Sequence, residues 1–239
     1  SAPRPDYDAT LVFPGRGGVT QRFDSITVVG AGAVGSFYGA MLARAGCRVT
    51  LIGRAAHVDA IARDGLALDM SGSIETLRIP ARTDLAAVRG ADLVLFCVKS
   101  TGTEATARAL APLLAPQAVV LSLQNGVENA ALIAAQVSQC VVPAVVYVAT
   151  ALPTPGTVKH YGRGELLIGA PTPQTAQDPS MNAALQDIVD LFGTAGIAVT
   201  ISPNVMAELW SKLLVNCAYN AISALAQAPY ARLAALPEV

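Results

Sequence analysis

The chain contains no apolar run approaching the ~18 residues that a membrane-spanning helix needs, although 53% of its residues are hydrophobic. That content is spread along the chain, much of it as alanine and valine, so it can build a core without forming a span. The first twenty residues carry no continuous apolar core of the secretory kind, and no leader is expected there. Net charge is nearly absent. Sixteen basic and seventeen acidic residues leave −1, which gives no global field to attract nucleic acid or an anionic membrane. Cysteine is sparse as well. Cys47, Cys97, Cys140 and Cys217 show neither metal-ligand nor redox spacing and sit among apolar neighbours, so buried thiols in a reducing, cytoplasmic setting are expected. What remains is a globular chain of 239 residues, long enough for one large domain or two smaller ones.

The stretch that organises the chain is Ser25 to Gly39. Apolar and β-branched residues from Ile26 to Val29 end at Gly30, and Gly32 and Gly35 complete the spacing G-x-G-x-x-G before the helical pattern of Phe37 to Ala45. This reads as strand, tight turn, helix. Gly30 permits the turn, Gly32 lets backbone N–H groups approach a pyrophosphate, and Gly35 lets the helix pack close to the strand. The helix N-terminus would then face the anion. Gly30, Ala31, Gly32, Ala33, Val34 and Gly35 are accordingly the expected dinucleotide-binding turn.

Residues 1–24 read as an N-terminal extension, with a weak hairpin pattern at Thr10–Phe13 and Val19–Phe23. Beyond the turn, Arg48–Ile52 reads as a second parallel strand ending at Arg54. An acidic residue there would favour NAD, whereas arginine accommodates a 2′-phosphate and argues for NADP(H); a solvated loop arginine is the competing reading. Leu66–Met70 and Ser73–Ile79 read as an inserted hairpin around Ser71-Gly72. Asp92–Val98 is a buried strand with Lys99 at its carboxyl end, where ligands bind in open α/β sheets. Ala118–Leu123 leads directly into Gln124-Asn125-Gly126, an amide pair suited to a ribose or nicotinamide amide, or simply an Asn-Gly turn. Val141–Thr150 is a further strand. Thr157–Tyr161 and Leu166–Ile168 suggest an antiparallel pair about Gly162–Gly164, with His160 as a structural residue. A helix over Met181–Phe192 and a strand at Ile197–Ile201 follow.

From Asn204 to Leu225 the sequence has helical composition and lacks glycine and proline. Lys212, Asn216 and Asn220 recur every four residues, which places them along one side of a helix over about 12 Å. A polar line on an apolar helix faces either water or a cleft. Lys212 is the only charged residue between Trp210 and Ala228, whereas a solvated stripe ordinarily carries several charges of both signs. An ammonium placed beside a ketone can stabilise the developing alkoxide and protonate it.

Taken together, G-A-G-A-V-G at 30–35, C-V-K-S at 97–100, L-Q-N-G at 123–126, P-G-T-V-K-H-Y-G with L-L-I-G between 155 and 169, and E-L-W-S-K-L-L-V-N-C-A-Y-N at 208–220 resemble the ketopantoate reductase (2-dehydropantoate 2-reductase) family. The resemblance covers residues 25 to about 225. It implies an α/β fold: a Rossmann-type doubly wound parallel sheet over 25–203, followed by the start of an α-helical substrate domain over 204–239. It further implies NADPH-dependent reduction of a small 2-oxo acid to the 2-hydroxy acid. Lys212 would be the proton donor and Asn216 and Asn220 substrate ligands, with Arg54, Lys99 and Asn125 contacting the cofactor, Asn125 near the nicotinamide. Lys99 and Asn125 are expected at the substrate as well, and Lys99 or Lys212 would attract its carboxylate. The helical domain of the family extends further, so the chain is expected to be truncated within it. No nucleic-acid or membrane partner is expected, and a homodimer is left open. A 3-hydroxy acid dehydrogenase and a non-catalytic NADP(H)-binding module are the alternative readings.

Overall fold

The computed structural model describes residues 22–228 and Arg232. Its core is a mixed, mainly parallel sheet with helices on both faces. The strands are β1 (Ser25–Val29), β2 (Arg48–Ile52), β3 (Leu66–Met70), β4 (Ser73–Leu77), β5 (Ala81–Arg82), β6 (Leu93–Phe96), β7 (Val119–Ser122), β8 (Cys140–Ala151), β9 (Thr157–Ile168) and β10 (Val199–Ile201). The helices are α1 (Ala33–Arg44), α2 (Ala55–Asp64), α3 (Thr103–Leu110), α4 (Asn129–Ala134), α5 (Pro179–Thr194) and α6 (Val205–Ala226).

The spatial order is β4-β3-β9-β8-β7-β6-β1-β2-β5, with β10 beside β9. Its run β5-β2-β1-β6-β7-β8 is wholly parallel and is the strand order of a Rossmann sheet, since the β3–β4 hairpin leaves the sequence of crossovers. The central strands β6 and β7, LVLF and VVLS, are buried throughout, as strands covered on both faces must be. One face is closed by α1 and α5 through Phe37, Tyr38, Leu42, Leu185, Ile188 and Phe192. The other is closed by α3 and α4 through Ala107, Leu110 and Ile133.

β8 is the hinge between the two parts of the sheet. Its first residues pair with β7 in parallel, and Ala144–Ala151 pair antiparallel with β9. Here the structure departs from expectation. Thr157–Tyr161 and Leu166–Ile168 do not pair with one another but belong to one strand, β9, running through Gly162-Arg163-Gly164. Those residues take positive φ of 147°, 61° and 152° and absorb register shifts against β8, so the glycines make a bulge where a reversal was read. The reversal lies earlier, between Ala151 and Thr157. His160 stacks on Phe37 at 4.6 Å, and its Nε2 lies 2.5 Å from the Arg163 carbonyl oxygen.

The hairpin read over residues 10–23 falls outside the described residues except for Arg22 and Phe23. Phe23 is buried in the core and Arg22 pairs with Asp187 at 3.0 Å. No disulfide joins the cysteines, and Cys217 is exposed rather than buried, because α6 turns much of its apolar sequence outward. Among the described residues no helix is long and apolar enough to cross a membrane.

Packing around the first turn is tight at one glycine and open at another. A Cβ at Gly35 would lie 2.4 Å from the Gly30 carbonyl oxygen and 2.8 Å from Val28 Cγ1, while one at Gly32 would meet nothing within 4 Å. Gly35→Ala should therefore cost about 1–3 kcal/mol of stability, and Gly32→Ala should stay close to wild type. Denaturant unfolding of the two variants side by side checks this, and equal losses would contradict it.

Candidate active site at the sheet rim

β1, β2, β6 and β7 are neighbours in the sheet, so the loops that follow them share one rim, the edge where parallel α/β sheets bind ligands. Four of those loops carry the residues singled out above: Gly30–Gly35, Arg54, Lys99 and Asn125.

The first loop is fixed by its backbone. Gly30 and Ala31 donate to the Ile52 carbonyl oxygen at 3.0 and 2.8 Å, which ties the turn to the end of β2. Gly30 has φ of 101°, and a Cβ there would lie 2.7 Å from the Cys97 carbonyl carbon, so only glycine fits between β1 and the strand end beside it. Ala31 is buried. Ala33 and Val34 form the first turn of α1, which has Gly32 as N-cap, no capping side chain and no acidic residue in that turn. Its N–H groups thus face the open space beside Gly32, an arrangement that suits an anionic pyrophosphate. Arg54 is exposed at the N-cap of α2, and Lys99 is exposed at the end of the loop after β6.

Asn125 is held from behind. Its carbonyl oxygen accepts from Asn129 Nδ2 at 2.8 Å and from Ser100 Oγ at 3.2 Å. Asn129 Oδ1 in turn accepts from Thr103 Oγ1, and Gln124 Nε2 donates to Thr103 Oγ1 and to the Val98 carbonyl oxygen. Gln124, Thr103 and Asn129 are buried, so each lost bond would strand a polar group away from water. Within this network the Gln-Asn-Gly segment and the C-V-K-S stretch that holds Val98 and Ser100 carried a sequence signal; Thr103 and Asn129 did not.

Opposite the rim stands α6, capped by Asn204, whose Oδ1 accepts from the Ala207 N–H at 3.1 Å. Val205 and Leu209 pack it against Val145 on β8. One turn on, Lys212 Nζ donates to Asn125 Oδ1 at 2.9 Å and to the Val146 carbonyl oxygen. The ammonium also lies 5.3 Å from the centre of the Tyr147 ring. Lys212 and Asn216 line a small, open cleft with Asn125, Gly126, Ala144 and Leu213. Asn220, two turns beyond Lys212, is exposed and outside that lining. Burial, and then the nearby Arg163 guanidinium, bring the Lys212 ammonium down to about 8. It therefore stays largely charged at neutral pH yet gives up its proton far more readily than an ordinary lysine. Val146, Tyr147 and Arg163 were not legible as site residues in the sequence. Among the described residues no cluster of side chains could hold a metal ion.

The sequence family described as Ketopantoate reductase PanE/ApbA matches residues 26–173. The chain belongs to this family. Ketopantoate reductases are prominent among its relatives. It is 35% identical over 215 residues to the 2-dehydropantoate 2-reductase of Halobacterium salinarum, covering 89% of this chain and 69% of that protein. The solved structure of a PanE/ApbA family ketopantoate reductase from Ralstonia eutropha JMP134 shares 50% identity, with TM-score 0.78 and coverage of 89% and 68%. A D-mandelate dehydrogenase solved with NADH and anilino(oxo)acetate shares 27% identity at TM-score 0.75, over 83% of this chain and 63% of that one. The chain thus spans about two thirds of the length of these ketopantoate reductases and their neighbour.

The bond between Lys212 and Asn125 is open to a direct test. Asn125→Asp keeps the shape and places a carboxylate against the ammonium, which favours the charged form. The Lys212 titration midpoint should rise from about 8 by about one pH unit or more. Carbon-detected NMR titration of the chain carrying ¹³C-labelled lysine, followed at Lys212 Cε, reads it, and an unmoved midpoint would contradict the contact.

Proposed function

We propose that the chain is the cofactor-binding and proton-donating part of an NADPH-dependent 2-dehydropantoate 2-reductase, acting on ketopantoate or a closely related 2-oxo acid. The observation that carries this reading is the position of Lys212, on a helix that faces the strand-end rim and bonded to a residue of that rim. In this reading residues 25–203 bind the dinucleotide and residues 204–239 begin the substrate domain.

The open space at Gly32 and the uncapped N-terminus of α1 fit the pyrophosphate. Arg54, at the end of the second strand, suits a 2′-phosphate, and Lys99 supplies a second positive charge on the same rim. The reduced nicotinamide, when bound, supplies the hydride. An ammonium has three N–H donors; Asn125 Oδ1 and the Val146 carbonyl take two in Lys212. The third is left for the ketone oxygen. As hydride adds to the carbonyl carbon, the C=O π pair moves onto oxygen, and Lys212 stabilises that charge and then transfers its proton to it. Solvent reprotonates the amine. Asn216, on the same side of α6 and in the same cleft, orients the substrate's other oxygens, with Asn220 a turn further out. We place the protein in the cytoplasm. A homodimer is one assembly that would cover Trp210, Leu214 and Val215, which α6 leaves exposed.

A second reading, use of NADH on a 2-oxo acid, is supported by the D-mandelate dehydrogenase likeness and opposed by Arg54. Oxidation of NADPH and NADH with ketopantoate, measured on the chain and on Lys212→Ala, separates the readings. NADPH should be preferred. The variant should lose turnover by about a hundredfold or more while its NADPH affinity stays near wild type. Turnover in the wild type should fall as pH rises through about 8, since the protonated amine is the active form. Equal turnover by Lys212→Ala would remove the mechanism.

A further inference from the structure

Arg163 is the one non-glycine residue of the β9 bulge and takes φ of 61° between Gly162 and Gly164. An L-residue held in the left-handed region costs conformational energy that glycine would avoid, and such residues persist where the surroundings over-determine them. Here the surroundings do. Nε of Arg163 donates to Glu165 Oε1 at 2.7 Å, and a terminal nitrogen lies 2.6 Å from the same oxygen. The Arg163 carbonyl oxygen meets His160 Nε2, and His160 is stacked on Phe37.

This anchoring sets the guanidinium 4.3 Å from the centre of the Tyr147 ring. The ammonium of Lys212 lies 5.3 Å from the centre of that same ring. Two cations therefore share one aromatic platform, on a strand whose preceding carbonyl, that of Val146, is bonded to Lys212. The titratable groups about the ammonium are Tyr147 on β8, Arg163 and Glu165 on β9, and Glu208 one turn earlier on α6. The loop after β7 contributes the uncharged Asn125, with Glu128 beyond it. Among the described residues no carboxylate lies within ion-pair distance of Lys212; Glu165 offsets part of the guanidinium's charge but pairs with Arg163, not with the ammonium.

We propose that Arg163 is a positioning residue for Lys212, fixing a second positive charge against the same Tyr147 ring that the ammonium faces. The role follows from Coulomb repulsion in a partly dry cleft, and the lowered proton affinity of Lys212, due to burial first and Arg163 second, agrees with it. It rests on the reductase reading for its purpose but not for its measurement.

The test is the titration of Lys212, followed by NMR at its Cε in protein carrying ¹³C-labelled lysine, in the whole chain and in three variants. Arg163→Gln and Arg163→Gly remove the charge, and the glycine variant also relaxes the backbone, so it folds even if the glutamine variant does not. Arg163→Lys keeps a charge. The midpoint should rise by about half a pH unit or more in both neutral variants and stay near wild type in Arg163→Lys. The alkaline limb of the rate profile should move upward with it. Identical midpoints in wild type and Arg163→Gly would overturn the proposal. Because the titration needs no turnover, a chain that oxidises no NADPH would defeat the reductase reading while the midpoints still decide the role of Arg163.

Discussion

The hydrogen bonds from the Lys212 ammonium to Asn125 and Val146 join two parts of the chain that little else brings together at the cleft. Past Leu209, α6 buries no side chain fully, and Trp210 and Leu214 are 53% and 67% exposed. The first turns of the helix are held by Val205 and Leu209 in a small apolar cluster, and the next hold on the sheet is polar. Drawing an ammonium partly out of water is costly unless its donors are matched. Lys212 matches two donors with one amide oxygen and one backbone carbonyl beside an aromatic face, and in doing so sets the orientation of Asn216 along the same helix.

What the ammonium touches is itself rigid. Asn125 is steadied by Ser100 and by the buried chain of Gln124, Thr103 and Asn129, which also takes hold of the Val98 carbonyl. The loops after β6 and β7 are therefore tied together. Val98 in turn adjoins Gly30, whose missing side chain lets the first loop lie against that strand end. A continuous set of contacts thus runs from the glycine turn to the lysine. It consists of backbone approach at one end and hydrogen bonds at the other, which is the kind of support a reacting group needs to hold its geometry.

Much of this fold could be read directly, for identifiable reasons. β2, β6 and β7 are short apolar runs because parallel strands covered by helices must be, and α6 follows from a long stretch free of glycine and proline. Lys212 stood out because it is the only charged residue between Trp210 and Ala228. The misreadings are equally physical. Glycine serves both turns and bulges, so Gly162-Arg163-Gly164 looked like a reversal and proved to be a kink within β9. Apolar neighbours in sequence suggested a buried Cys217, but α6 exposes that side. The Val146 carbonyl has no sequence signature at all, since every residue but its context offers the same oxygen. Tyr147 and Arg163 lie on different strands, and only the register of β8 against β9 brings them together.

The central claim is that Lys212 stands beside the dinucleotide site on the sheet rim, and its accessibility is the most direct measure of that. Acylation of the chain with a small amine reagent, read site by site by mass spectrometry, compares Lys212 with Lys159, which is paired with Asp69 away from the cleft. Saturating NADPH should slow the modification of Lys212 severalfold and leave Lys159 unchanged. Equal rates at Lys212 with and without NADPH would contradict the account.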